Sequence, residues 1–322
     1  MAKFIFRRIL QFIPIILLST VLVFTIVRLT PGDPVEVQFG PRASDARYAE
    51  SIESYRRELG LEKPIIIQYF LWLKNVVQGD FGESIRSQQP VLDLILEKLP
   101  ATLELLFAGI LIGLIFGIPF AIIAGLNKGS LIDSSVSIIS VSGLAIPGFW
   151  LGMILLWIFA LKLKWLPASG HVPFFEDPVE NLKRLIMPAI TLGVYEIALV
   201  TRFLRAEIVE VVQTDYIRFA RVKGLSGRVV IGRHILKNAM LSLVTIIALE
   251  IGYLLGGVVV VEQVFGWPGI GWLAYQAITN RDYPIIQAIV VLIAVGYALT
   301  NLIADILYGY LDPRMRIGAK SL

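Results

Sequence analysis

The sequence predicts an all-α polytopic membrane protein with six transmembrane helices, and three observations carry that expectation. Of 322 residues, 56% are hydrophobic and 17% charged, with a mean hydropathy of +0.75, whereas soluble domains are about 45–50% apolar and about 25% charged. Six apolar runs are each long enough to span, which takes about 20 residues of helix. The basic residues concentrate on alternate connections, as membrane topology requires. The same composition removes several function classes. With no cysteine there are no disulfides, thiolate nucleophiles or cysteine-held metal clusters. The two histidines, His171 and His234, lie in different polar segments, and no Gly-Lys dipeptide offers a phosphate-binding loop. No paired carboxylates or activated nucleophile can be assembled, so an enzyme is the least supported class.

The first run, Ile9 to Leu29, follows Lys3, Arg7 and Arg8 and resembles a secretory signal. Its length, and its ending in Leu29-Thr30-Pro31-Gly32-Asp33-Pro34 rather than a small-residue cleavage site, make it an uncleaved first span. A long segment follows. Ser44-Asp45 can cap a helix running through Ala49 and Tyr55 to Gly60, and Pro64 suits the start of a second helix ended by Gly79. Ile65, Ile66, Ile67, Phe70, Leu71 and Trp72 make that second helix apolar around much of its circumference. It is too short to span, so it should lie at the outer interface or pack on span ends. Pro90 opens a short helix from Val91 to Leu99 that leads into span two. Spans two to six are expected at Ala101–Gly125, Ser134–Leu161, Leu185–Leu204, Met240–Val261 and Ile285–Leu311, with Pro119 and Pro147-Gly148 able to kink spans two and three. Gly109, Gly113 and Gly117 repeat at four-residue spacing in span two, for close packing within the chain or against another subunit. Phe265 to Trp272 reads as an external loop of glycine turns and interfacial tryptophans.

Fifteen Lys and Arg residues fall on the side of the N-terminus and five on the two short opposite loops, which places both termini in the cytoplasm. Residues 30–98 are then external; their 11 acidic and 8 basic residues count little at such length. The net charge of +4 follows from cytoplasmic loops facing membrane lipid and calls for no nucleic acid. The chain thus divides into residues 1–29 (cytoplasmic N-terminus and span one), an external helical segment 30–99, a five-helix core 100–311 containing a cytoplasmic loop 205–239, and a cytoplasmic tail 312–322.

That loop is the most informative stretch. Thr214 or Asp215 can cap a two-turn helix that Gly224 ends in the left-handed conformation. Ala220 and Gly224 lie four apart and leave a shallow spot for a partner, with Arg218, Arg221 and Lys223 around it; the plainer reading of these cations is the positive-inside rule and anionic lipid. The wording Asp215-Tyr216-Ile217-Arg218-Phe219-Ala220-Arg221-Val222-Lys223-Gly224-Leu225, followed by Arg233-His234-Ile235-Leu236-Lys237-Asn238-Ala239, resembles the cytoplasmic loop of the dipeptide/oligopeptide/nickel branch of ATP-binding-cassette (ABC) importer permeases. Against the general pattern of such loops, Arg218 replaces a Glu and Lys237 a Pro. Gly79 to Ser84, Leu99 to Glu104, Gly256 to Gly269, Arg281 to Pro284 and Leu311 to Arg314 are similar to the first, B-type, permease subunit of that family.

What the resemblance implies is a type I importer. A second homologous permease subunit would complete the pathway, two ATPase subunits would bind ATP and Mg and dock on the cytoplasmic loops, and an external binding protein would deliver substrate. The chain itself would hold no cofactor and catalyse nothing. Asp215, Tyr216, Arg218, Ala220, Arg221, Lys223 and Gly224 would form the ATPase-coupling element. Peptides are the expected substrate, with a nickel chelate or an oligosaccharide as alternatives. Pathway lining is sought among polar groups at bilayer depth, which are costly unless they face a bundle interior or water. Glu196, Glu250, Tyr253, Tyr297, Asn301 and Asp305 qualify, the last three joining Tyr308 in one stripe of span six. Bonding to neighbouring helices would explain them as well, and an ion-coupled transporter using Glu196 and Glu250 is the reading from a different class.

Overall fold

The computed structural model describes residues 2–29, 49–58 and 62–311, all helix and connections apart from one isolated bridge between Glu83 and Pro90. Eleven helices follow in order: α1 (Ala2–Leu29), α2 (Ala49–Glu58), α3 (Ile65–Val77), α4 (Val91–Leu126), α5 (Leu131–Ala145), α6 (Gly148–Leu155), α7 (Pro178–Val212), α8 (Asp215–Val222), α9 (Lys237–Phe265), α10 (Ile270–Thr279) and α11 (Tyr283–Leu311). A π-helical turn, Leu156–Lys162, prolongs α6, and a short turn Gly227–Val229 with a second π-helical stretch, Val230–Leu236, leads into α9. The expected Ser44-Asp45 cap, the Gly60 stop, the tail 312–322 and most of the Leu29–Pro34 and Leu311–Arg314 motifs lie outside the described residues. Below, the inner side is the one at which α1 begins and the outer side the one at which it ends.

Two expectations are corrected. The short helix at Val91 and span two are one continuous helix of 36 residues through Pro100, about 54 Å long at 1.5 Å per residue, against a hydrocarbon core of about 30 Å. Its first turns therefore stand outside the core, where water can serve the carbonyl that Pro100 leaves unbonded. Span three, by contrast, is not one kinked helix: α5 and α6 meet at 95°. Ile146 precedes a proline, takes ψ 121° and leaves the helical region, and Pro147 restarts the chain as the N-cap of α6.

The glycine row of α4 faces α7. A Cβ at Gly109, Gly117 or Gly125 would lie 2.8–2.9 Å from the Cβ or branch methyls of Leu192, Val200 or Ile208, and one at Gly113 would collide with Glu196. The step from glycine to partner is the same at all four positions, so α4 and α7 run parallel. Two parallel spans cannot be joined by a connection that stays on one side. The bent pair α5–α6 therefore crosses the membrane, which makes six spans with α1, α4, α7, α9 and α11. The glycines thus serve packing within the chain.

Apolar side chains gather in three clusters. An outer one joins Leu105, Leu106, Leu185, Leu192, Leu254, Val258, Phe265 and Trp267. An inner one joins Ala121, Val200, Leu204, Ile208, Ile217, Ala220, Val230, Ile235 and Leu243. A third, at the outer side, holds α10 between the start of α4 (Val91, Ile95) and α11 (Ile285, Ile289). The stretch expected as a loop after span five thus contains the start of a helix buried along one face. α3 rests on the outer half of α1, through Tyr69 on Thr20 (2.9 Å) and the rings of Tyr69 and Trp72 on Phe24, while Ile65, Ile66, Ile67, Phe70 and Val77 stay exposed.

Candidate functional site

On the inner side α7 ends at Val212 and only Gln213 and Thr214 separate it from α8. Thr214 occupies the N-cap position, but its hydroxyl donates back to the Val211 carbonyl (2.6 Å) instead of capping α8. Gly224 ends the turn with φ +76°, as its position predicts. Ile217 and Ala220, three apart, are sunk in the inner cluster together with Leu204 and Ile208 of α7 and Ile235 before α9. α8 is thereby fixed to the bundle. The small-residue spot expected at Ala220 and Gly224 is accordingly corrected: Ala220 is consumed by internal packing, and Gly224 alone remains exposed, with open space around it.

What faces out is apolar. Tyr216, Phe219 and Val222 follow at three-residue intervals and are 42%, 68% and 85% exposed, with Leu225 beyond them. Arg218, Arg221 and Lys223 are exposed around this strip. Arg218 pairs with Asp215 at 3.6 Å, both side chains in solvent, and the Tyr216 hydroxyl accepts from the Asn238 amide (3.0 Å). Three apolar side chains thus stand in solvent on one short helix, rimmed by cations.

At mid-bundle the outer and inner clusters are interrupted on one level. Along α7 the outer cluster ends at Leu192 and the inner one begins at Val200, with Glu196 between; along α9 Leu243 and Leu254 bracket Glu250. Glu196 is 2% exposed and Glu250 half-buried, and one oxygen of each has no hydrogen-bond partner among the described residues. The two carboxylates form a polar layer in an apolar bundle. A cavity of about 340 Å³ opens at the bend of span three, lined by Gly143, Ile146, Pro147, Thr191, Tyr195 and Leu254 among others. In α11, Tyr297 is partly exposed and packs its ring on Gly252, and Asn301 is half-buried. Asp305 is drawn elsewhere: it pairs with Arg8 of α1 at 3.2 Å, so its carboxylate ties α11 to α1. Tyr253 lies in α9 and Tyr308 in α11, their side chains outside the described residues.

Several polar contacts were not read from the sequence. At the outer side Glu262, fully buried, accepts from the Thr102 hydroxyl (2.7 Å) and the Trp272 amide (2.8 Å). The Trp267 indole donates to the Ala101 carbonyl (2.8 Å). Glu104 binds both His171 (2.9 Å) and the Asn181 amide (2.6 Å), and Asp282 accepts from the Ser84 hydroxyl (2.6 Å). The motif segments are thereby joined in two pairs, the Gly79 segment to the Arg281 one and the Leu99 segment to the Gly256 one. Their shared purpose is legible only once the helices are assembled. On the inner side Arg205 of α7 holds Asp133 of α5 through Nε (2.5 Å) and Nη2 (2.7 Å).

Residues 117–317 match the family model of the binding-protein-dependent transport system inner membrane component, and residues 1–106 match the model of its N-terminal part. The chain belongs to this family. The permease is 42% identical over 318 residues to the oligopeptide transport system permease protein AppB of Bacillus subtilis, covering 98% of this chain and 99% of that one. It is 39% identical to the di/tripeptide transport system permease protein DppB of Pseudomonas aeruginosa and 40% identical to the glutathione transport system permease protein GsiC of Escherichia coli K12, each over 98% of this chain and 99% of the relative. The resemblance drawn from the motifs therefore holds. In fold, the permease is similar to a chain of the MetNI methionine ABC transporter solved in inward-facing conformations, with a TM-score of 0.56 at 17% identity over 68% of this chain and 96% of that one.

Proposed function

We propose that the permease forms half of the translocation pathway of an ATP-driven importer of peptides, in the cytoplasmic (inner) membrane with both termini in the cytoplasm. A second homologous permease completes the pathway, and an external binding protein delivers the peptide to the outer side, where the segment 30–99 lies. Two ATPase subunits bind ATP and Mg, hydrolyse the nucleotide and dock on the 205–239 loops. The observation that carries the coupling is the exposed strip Tyr216, Phe219 and Val222 on α8, whose other face is built into the bundle. A partner seated there moves α7 and the loop before α9 together, and the two nucleotide states then favour different arrangements of the bundle. Glu196, Glu250, Tyr297 and Asn301 are the proposed lining, since peptide amides and charges need polar partners at bilayer depth. The names of the relatives, which concern oligopeptides, di- and tripeptides and glutathione, favour a peptide cargo over a nickel chelate or an oligosaccharide.

Gentle purification from the native membrane, with mass spectrometry of stoichiometric chains and an ATPase assay, tests this. The expected result is a second six-span permease, two ATPases, and turnover raised by a binding protein carrying a peptide. A lone or homomeric protein with no ATPase, taking up substrate on a proton gradient, would instead establish the ion-coupled class.

A further inference from the structure

We propose that Asp133 and Arg205 are positioning residues that carry the movement of α8 to the bend in span three; the proposal rests on the ATPase-docking reading above. Arg205 lies on α7 two turns before its end, and α8 follows after two residues, welded to α7 by Ile217 and Ala220 in the inner cluster. Whatever displaces α8 displaces Arg205. Its guanidinium grips Asp133 with two nitrogens at 2.5 and 2.7 Å, one to each carboxylate oxygen, a geometry that fixes direction as well as distance. Asp133 is itself held in place: it is 4% exposed, its carboxylate accepts from the Gly129 amide (2.9 Å), and its own amide donates to the Ser130 hydroxyl at the helix cap. The grip therefore acts on the first turn of α5 as a rigid body.

The other end of α5 is the break at Ile146-Pro147. Beyond it, α6 packs both on α7 and on α9, where Gly152 seats against Phe265 and Val264 at the outer end. α5 packs along α7 as far as Gly143 on Ala198. Span three is thus two bodies, α5 tied to α7 by an ion pair at its inner end and α6 set between α7 and the outer end of α9, with the cavity at the junction. A shift at the inner end of α7 passes through the ion pair to α5 and reaches the junction at Pro147, where α9 as well as α7 restrains α6, so it is taken up there as a change of angle. Without the pair, α5 can slip along α7 and the junction is no longer driven.

The absence of cysteine from the chain makes the test direct. Ser142, exposed beside the break, is replaced by cysteine in the complete reconstituted transporter, and the rate of labelling of this subunit by a membrane-impermeant thiosulfonate is measured with and without ATP-vanadate trapping. Trapping should change the rate severalfold in the parent. In Asp133→Asn, near-isosteric and remote from the docking strip, ATPase subunits should still co-purify and hydrolyse ATP, but the trapping-dependent change should be lost. The exchanged pair Asp133→Arg with Arg205→Asp should recover part of it, which assigns the effect to the pair; a merely structural role would instead lower assembly and ATP hydrolysis along with the trapping-dependent change. A full trapping-dependent change in Asp133→Asn overturns the proposal while leaving ATPase docking intact. No change in the parent despite vanadate-trapped nucleotide overturns it too, and no bound ATPase at all removes the coupling reading on which it stands.

Discussion

Thr102 serves two partners at once: its hydroxyl donates to Glu262 and accepts the amide of Ile270, so one side chain joins α4, the end of α9 and the start of α10. Replacing it with valine keeps the shape and removes both bonds, leaving a buried carboxylate oxygen and a buried N–H unserved. The expected cost is about 1–3 kcal/mol for each group left without a partner. Thr102→Val should therefore lower the unfolding midpoint of the detergent-purified complex by several degrees in scanning fluorimetry. An unchanged midpoint would show that the hydroxyl is not what holds this corner. Gly269 and Gly271 belong to the same corner, since a Cβ at either would meet the Glu262 carboxylate. From the sequence Gly269 closed a family motif and both glycines read as turns of an external loop, but their reason is the approach of backbone to an acid, which the sequence does not display.

The two faces of α8 separate stability from docking. Phe219→Asp and Val222→Asp alter side chains that are mostly in solvent, so folding and membrane yield should stay within about 0.5 kcal/mol of the parent, while ATPase subunits fail to co-purify. Ile217→Asp places a charge at a fully buried position and should abolish accumulation of the protein, which immunoblotting of membranes would report. Equal ATPase recovery in all the folded variants would remove α8 from the contact. The boundaries of this helix were legible because a cap position, a charged turn and a left-handed glycine are local signals. Which side faced inward was not: Ala220 and Gly224 looked like one face, yet burial followed Ile217 and Ala220, chosen by apolar side chains of α7 and α9 that only the assembled bundle brings together. The break at Pro147 was underrated for a similar reason, since a proline marks a change of direction but the angle comes from what α5 and α6 each pack against.

Across the whole molecule the apolar interior comes in two tiers with Glu196 and Glu250 between them, and such a division predicts where transport is sensitive. Glu250→Gln should change the amount of peptide taken up per ATP hydrolysed by the reconstituted complex, with assembly preserved; an unaltered ratio would take Glu250 off the pathway. Composition and hydropathy were enough for six spans, because lipid demands long apolar helices whatever their partners. They were silent on the order of helices in the bundle, which Gly109 to Gly125 and Leu192 to Ile208 decide by side-chain size. That seam bears on synthesis. The glycine row of α4 meets a helix that leaves the ribosome only after the whole of α5 and α6, and the two can lie parallel only after span three has crossed. During that interval α4 sits in lipid as an independently stable helix with its notch unfilled, in keeping with membrane helices that insert first and associate afterwards. A nascent chain stopped before Pro178 therefore leaves that glycine row without its partner, and only the arrival of α7 fills it.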